Sequence, residues 1–514
     1  MLSTVYSAAL EGVDGYIVTV ECNASISIPH FEIVGLADLA VREAKERVFA
    51  AAQNSGYSLS GLGITLNLAP ADKHKVGSAL DLPMLIAVLC CTGDIKKEQV
   101  PQDACFIGEL SLSGQVRGVN GVLSMVDAAR KAGKTTVFVP ADNAAEAAVI
   151  QDATIYGVQN INQLCAHLNG EKPIAPQTYN ADAMNTAADT LSLPDFSDVM
   201  GQQQAKRALE IAAAGQHNIL LVGPPGAGKT MLAKRLPSIL PPLQPQEAIE
   251  VTKIHSVCGM LPPHTALLTT RPFRSPHHTI SAVGLAGGGS FPQPGEISAA
   301  HHGVLYLDEL PEFNKRAMEV LRQPMEERQI TITRVSGKVT FPCDFMLVAA
   351  MNPCRCGYYG HPTKICTCTP DDIHRYVSKI SGPLLDRIDL QIEVPAVSYD
   401  ELHQTTKAEC SADIRKRVQA AWEFSHARCQ ALHIAPVANA RIAPAQMKIC
   451  CVMDAQADVL LRRAFDTMGL SARGHDRILR VARTIADLDH SEIIGAMHIA
   501  EAVQLRCLDK KYFQ

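Results

Sequence analysis

Apolar and polar positions alternate over residues 16–20 and 24–28, as in half-buried strands. Residues 41–53 change to helical spacing, 63–68 return to a strand, and 80–89 form an apolar helix. A helix over 121–132 then runs into a strand over 135–139. Residues 170–193 are rich in Ala, Asn, Asp, Pro and Thr and have no period, which marks a linker. Beyond it, a helix over 203–214 precedes the short apolar run 218–222, which reads as a buried parallel strand. Two more buried strands follow at 302–310 and 345–352. Alternation over 328–341 about Ser336 and Gly337 predicts a β-hairpin. From about 398 the chain is helical, with amphipathic spacing at 414–428 and 455–465. The division expected is 1–170, a linker 171–193, a motor domain 194–397 and a helical domain 398–514.

Composition narrows the classes. At 514 residues the chain holds several domains, and 47% apolar content is enough for packed cores. The net charge of −5 restricts any nucleic-acid surface to a local patch. The first twenty residues lack a basic start and a continuous apolar core, so no signal peptide is expected. Apolar stretches such as 82–91 are too short for a bilayer. These features predict a cytoplasmic protein, away from membranes, whose sixteen cysteines are reduced.

The chemistry centres on one loop, Gly223-Pro224-Pro225-Gly226-Ala227-Gly228-Lys229-Thr230, set between the strand at 218–222 and a helix from 231. Glycines let backbone N–H groups turn onto phosphates, and the helix N-terminus adds a positive dipole end. Lys229 is expected to reach the β- and γ-phosphates of ATP, and Thr230 to hold Mg²⁺. About eighty residues later, an apolar strand ends in Asp308 and Glu309. Asp308 suits the Mg²⁺ shell, and Glu309 suits polarisation of the attacking water. The strand at 345–352 ends in the amide of Asn352. Arg387 lies in a short motif after a helix, and Arg473 opens a helix that also carries Arg477, Arg480 and Arg483.

Loop, Asp-Glu strand, Asn, Arg and Arg occur in the order of the AAA+ ATPases. That resemblance implies that Asn352 orients the water and that Arg387 reaches the γ-phosphate of a neighbouring subunit. It also implies that Arg473 contacts ATP from a helical lid, with the other three arginines as alternatives, and that Val199 and Met200 lie near adenine. The stretches from Arg271 to Thr279, Gly287 to Gly289 and Pro294 to Gly303 resemble the insert of the magnesium-chelatase branch. The hairpin before Asn352 is shared with MCM-type helicases.

The N-terminal segment resembles the proteolytic domain of Lon-type enzymes through Lys75 to Ala79, Gly108 to Val116 and Asn120 to Gly133. Ser78 sits near the place of the nucleophile, but Leu123 occupies the place of the lysine. A serine without a base is not activated, so this domain reads as a non-proteolytic relative. The whole chain resembles the ComM/YifB family. This implies an α/β fold: an AAA+ P-loop core with a helical lid, preceded by a Lon-protease-like α+β domain. It also implies a ring, usually a hexamer, acting as an ATP-driven DNA helicase in branch migration during recombination and competence. The alternative is a magnesium-chelatase-like ATPase subunit that remodels a protein partner. The Lon-like domain is expected to favour the DNA motor over the chelatase.

Arg334 and Lys338 lie near the hairpin tip, where they either track a DNA phosphate backbone or are simply solvated. No base-reading element is evident, so branched or single-stranded DNA bound without sequence preference is the expected partner. Cys354, Cys356, Cys366 and Cys368 flank one loop and can close a tetrahedral Zn²⁺ site, with His361 as a substitute ligand. The other reading is four reduced loop cysteines. For His277, His278, His301 and His302, packing or interface roles are expected.

Overall fold

The computed structural model describes residues 1–26, 28–179, 193–262, 265–334, 337–396, 408–506 and 508. Most of the expected linker and the boundary at 397/398 lie outside these residues, as does Ser336.

The N-terminal unit is a mixed eight-stranded sheet. Its strands are β1 (Leu2–Glu11), β2 (Asp14–Ile26), β3 (His30–Val34), β4 (Leu62–Ala69), β5 (Ala104–Phe106), β6 (Thr136–Pro140), β7 (Thr154–Val158) and β8 (Pro176–Gln177), in the order β8-β7-β6-β5-β1-β2-β4-β3. The expected strand at 16–20 and residues 24–26 of the one expected at 24–28 form a single strand, β2, which pairs without a break across Glu21, buried Cys22 and Asn23. β8 falls inside the span expected to be linker. The helices are α1 (Leu39–Asn54), α2 (Asp81–Thr92), α3 (Val122–Lys131) and α4 (Ile161–Leu168). The continuous apolar run of α2 is buried from Asp81 to Cys91, which explains its lack of a polar face.

The motor unit begins with α5 (Gln203–Gly215), β9 (Ile219–Val222), α6 (Lys229–Ile239) and α7 (Pro245–Val257). It continues through β10 (Phe273–Arg274), β11 (Val304–Leu307), β12 (Gln329–Arg334), β13 (Gly337–Pro342), β14 (Met346–Met351), α8 (Pro370–Val377) and β15 (Leu390–Glu393). Five strands form a parallel sheet in the order β10-β11-β14-β9-β15. β9, β11 and β14 are buried at every position, as a parallel sheet covered on both faces requires. β12 and β13 pair as a separate hairpin, with Arg334 opposite Gly337 and Thr333 opposite Lys338.

The C-terminal helices α9 (Ser411–Ala431), α10 (Ala455–Met468), α11 (Ala472–Leu488) and α12 (Ala496–Gln504) share one core with α5, α6 and the sheet. Trp422 joins that core, its indole N–H donating to Ala213 O at 3.2 Å. No described helix is long and apolar enough to cross a membrane.

Candidate active site

The loop after β9 wraps toward the first turn of α6. Gly226 and Gly228 have φ of 78° and 86°, a region that strains any side chain. Gly223 packs so closely on the exit of β15 that a Cβ would stand 2.2 Å from Val394 O. Lys229 Nζ donates to the carbonyls of Gly223 (2.7 Å) and Pro224 (3.0 Å) and to Asn352 Oδ1 (3.1 Å). The ammonium therefore bridges the loop and the end of β14. Burial pushes its pKa down, and Asp308 and Glu309 partly oppose that. Thr230 Oγ1 donates to Asp308 Oδ2 at 2.7 Å and accepts from Tyr306 OH at 3.1 Å. Hydroxyl and carboxylate thus converge as a Mg²⁺ site of this class needs.

Glu309 has φ of 52°, a left-handed conformation uncommon for such a residue. Its N–H donates to Asp308 Oδ1 at 2.9 Å, and its carboxylate lies 3.5 Å from His278 Nδ1. Strain of this kind concentrates at functional positions; here it goes with the approach of the Glu309 carboxylate to His278. Loop, Asp308, Glu309 and Asn352 line one cleft of 410 Å³ at the C-terminal ends of the strands, where ligands bind in open parallel sheets.

Arg387 and Arg473 are elsewhere. They line a second cleft of 430 Å³ beside Asn218, Phe345 and Asp389, residues that precede β9, β14 and β15. A strand length of about 13 Å separates the two ends of the sheet, and neither arginine lines its own chain's phosphate-loop cleft. Arg387 pairs with Glu326 at 2.6 Å and donates to Pro383 O at 2.6 Å, while its Nε has no partner among the described residues. Arg473 is exposed. The alternatives on α11 are engaged internally: Arg477 lies 3.6 Å from Asp389, and Arg480 donates to Ile442 O. Arg483, fully buried, holds Asp487 and Glu492 O.

Arg334 and Lys338 are both exposed on the hairpin and make no ion pair among the described residues. The four sulfurs of Cys354, Cys356, Cys366 and Cys368 lie within 4.8 Å of one another. His361 is not with them; its Nδ1 accepts from the N–H groups of Thr363 and Lys364 at 3.1 and 3.0 Å. His301, His302 and Glu250 also cluster. However, His301 Nδ1 accepts from the Asp344 N–H at 2.9 Å, which places the ring proton on the Nε2 facing Glu250. That is a hydrogen bond, and it leaves no lone pair for a metal.

The family "Magnesium chelatase, subunit ChlI" matches residues 195–402, and its C-terminal counterpart matches 408–506. "Subunit ChlI of Mg-chelatase" matches residues 20–143. The chain is 41% identical to "Competence protein ComM" of Haemophilus influenzae, over 99% of this chain and 98% of that protein. It is also 41% identical to "Uncharacterized protein YifB" of Escherichia coli, again over 99% and 98%. The chain belongs to the ComM/YifB family. Likeness to the magnesium-chelatase 67 kDa subunit of Chlorobaculum tepidum is 28% over 162 residues, 31% of this chain and 23% of that protein. The N-terminal match also carries the chelatase description, so the expected argument fails: this domain's presence does not separate the two readings. The extent of the match fixes the family, because the ComM/YifB relatives align along the whole chain. The AAA+ class of the 195–402 match carries ATP and Mg²⁺ chemistry with it.

Some residues around the site carried no sequence signal for a place there; His278 was expected only to pack or to meet an interface. His278 sits against Glu309, and Tyr306 reads as bulk within an apolar strand. Gln202, at φ 56°, spans from Pro395 O (2.7 Å) to Ala227 O (3.4 Å) behind the phosphate loop. Val199 is buried in the motor core, its carbonyl bound by Lys206 at 2.6 Å, and Met200 is half-buried. In the N-terminal unit, Ser78 Oγ bonds to Glu109 Oε2. Lys73, which lines the same cleft, is held by Glu11 at 2.6 Å, and Leu123 is fully buried.

Proposed function

We propose that the protein is a cytoplasmic ATP hydrolase that works as a homo-oligomeric ring, six-membered in the manner of its class, and moves on branched or single-stranded DNA. Branch migration in homologous recombination during natural transformation is the task this reading assigns. The observation that carries it is the separation of the two clefts. One is lined by the phosphate loop, Asp308, Glu309 and Asn352, while the arginines that would complete it stand at the opposite end of the same sheet. A site split this way is complete only when the arginine edge of one copy meets the phosphate-loop edge of the next. Repetition of such a head-to-tail contact closes a ring.

In this reading Thr230 and Asp308 hold Mg²⁺, which neutralises phosphate charge when bound. Glu309 accepts a proton from the attacking water, and Asn352 orients that water. Lys229, now on the loop's own carbonyls and Asn352, exchanges those acceptors for phosphate oxygens. Arg387 and Arg473 of the adjacent copy stabilise charge on the transferring phosphoryl group. Arg334 and Lys338 contact the DNA backbone, which suits movement without sequence recognition. The name of the Haemophilus influenzae relative, a competence protein, agrees with a role in competence.

The second reading is a chelatase-type ATPase that remodels a protein partner, favoured by the family descriptions along the motor. ATP hydrolysis measured with and without branched or single-stranded DNA, at two salt concentrations, separates the two. Stimulation that weakens with salt and vanishes in Glu309→Gln supports the DNA motor. Hydrolysis indifferent to DNA refutes it and leaves the chelatase-type role.

A further inference from the structure

Residues 352–369 join β14 to α8 without a helix or strand. A segment of this length needs some other source of order. Apolar burial does not supply it, since Ile365 is 88% exposed. The four cysteines are what converge. Sγ of Cys354 lies 3.4 Å from that of Cys356 and 3.7 Å from that of Cys366, and Cys356 lies 3.5 Å from Cys366. Disulfide sulfurs stand about 2.05 Å apart, so these are separate thiols. A tetrahedron of Zn–S bonds of about 2.3 Å has edges of about 3.8 Å, close to the spacing seen. Backbone N–H groups of Gly357 and Tyr359 face Cys354 Sγ, and those of Tyr358 and Thr367 face Cys356 Sγ. Such N–H groups stabilise thiolate ligands. Arg355 and Lys364, cations of the same loop, offset the negative charge of four thiolates around one divalent ion.

The position of the cluster gives it a task. Cys354 follows Asn352 by two residues, and Thr369, the side-chain cap of α8, follows Cys368 directly. The loop between the cysteine pairs rests on the phosphate loop: a Cβ on Gly357 would meet Pro225 Cδ at 2.5 Å and Pro225 Cγ at 2.8 Å.

We propose that Cys354, Cys356, Cys366 and Cys368 bind one Zn²⁺ per chain, and that the knuckle so formed props the phosphate loop through Pro225. The second half rests on the ATP-site reading above; the first half does not.

The test uses the full chain, purified without chelator and then offered Zn²⁺ at neutral pH. Elemental analysis is expected to find one zinc per chain, and near none in the Cys366→Ser/Cys368→Ser double variant. Cobalt substitution is expected to give the intense red-region absorption of tetrahedral thiolate coordination. No zinc in the parent, equal zinc in the variant, or a weak octahedral cobalt spectrum overturns the site. If the double variant does not fold, zinc release from the parent by a mercurial thiol reagent supplies the same decision. Propping is read with Gly357→Ala, which leaves all four ligands in place. It is expected to keep its zinc while the KM for ATP rises by about tenfold or more. Full zinc with an unchanged KM overturns the propping. A parent that holds zinc but hydrolyses no ATP sinks the ATP reading and leaves the metal site standing.

Discussion

Replacing Arg387 by alanine separates folding from catalysis by a wide margin. Within its own chain the guanidinium has little to hold. Its ion pair is with Glu326, whose side chain is 51% exposed, and solvent-screened pairs of this kind contribute about 0–1 kcal/mol. Its second contact is a carbonyl four residues back, and its Nε is unpartnered among the described residues. The fold should therefore lose about 1 kcal/mol or less. As a finger acting on a neighbour's ATP, the same residue contributes about 10³–10⁵ in kcat, or about 4–7 kcal/mol of transition-state stabilisation. The expected result is a melting temperature near that of the parent, intact rings by sedimentation, and ATP hydrolysis down at least about a thousandfold. Mixing then tests the trans geometry. Glu309→Gln subunits keep Arg387 but cannot hydrolyse, whereas Arg387→Ala subunits keep a whole phosphate-loop cleft. In an equal, random mixture about a quarter of the interfaces join an intact cleft to an intact arginine, so hydrolysis should reappear. Mixed rings with no recovered activity, or Arg387→Ala rings within tenfold of the parent, would refute the split-site argument.

Three further outcomes are expected. Gly223→Ala forces a Cβ against Val394 O at 2.2 Å; it should cost about 1–3 kcal/mol in thermal unfolding and weaken ATP binding, and an unchanged protein would contradict the close packing. Arg334→Ala/Lys338→Ala should lower the slope of log affinity for duplex DNA against log salt by about 1.8, from about 0.9 per phosphate contact; an unchanged slope removes the hairpin from the DNA path. Asp127 is held well below the usual carboxylate range: burial opposes ionisation, but Lys253, Lys131 and Arg130 outweigh it. Because its folded pKa is depressed, its contribution is complete above the unfolded value of about 3.9 and fades as pH falls below that. Thermal melts from neutral pH to pH 3 should show this loss, and Lys253→Met should reduce it and cost about 1–3 kcal/mol at neutral pH. A parallel pH dependence in parent and variant would exclude the Asp127–Lys253 pair as its source.

The phosphate cleft was legible because its chemistry is contiguous in sequence. Eight loop residues sit between an apolar run and a helix, and Asp308-Glu309 and Asn352 each end a fully apolar strand. Parallel strands point their C-terminal ends one way, so these three segments had to meet. The arginine cleft was half legible. Motif order singled out Arg387 and Arg473 as candidates, but nothing local tells which end of the sheet a side chain reaches. Among Arg473, Arg477, Arg480 and Arg483, the spacing was equally helical. Only packing separates the exposed first from three that hold Asp389, Ile442 O and Asp487. β1 was missed because its positions from Val5 to Ala9 are nearly all buried, which blurs the two-residue period. The hairpin turn was misplaced by the pull of Gly337, which instead pairs with Arg334.

The hairpin is also where the N-terminal unit meets the motor, which bears on what that unit contributes. Val13, at the turn between β1 and β2, is buried in the motor core that also holds Ile330, Ile332 and Phe341. A Cβ on the adjacent Gly12 would stand 2.7 Å from Val339 Cγ1. On the far side of that turn, Ser124 Oγ ties Val13 O to α3, and α3 is anchored to α7 through Asp127–Lys253 at 2.6 Å. The N-terminal Gly121 adds a second anchor, its N–H donating to Ser256 of α7 at 2.9 Å. The base of the hairpin is thus gripped on one side by the motor and on the other by the N-terminal unit, while Arg334 and Lys338 project at its exposed end. A lever that must carry load along a strand needs a fixed base, and an isolated two-stranded hairpin is only marginally stable. Supplying that base is a role the N-terminal sheet fills through packing alone, with no catalytic residue required of Ser78.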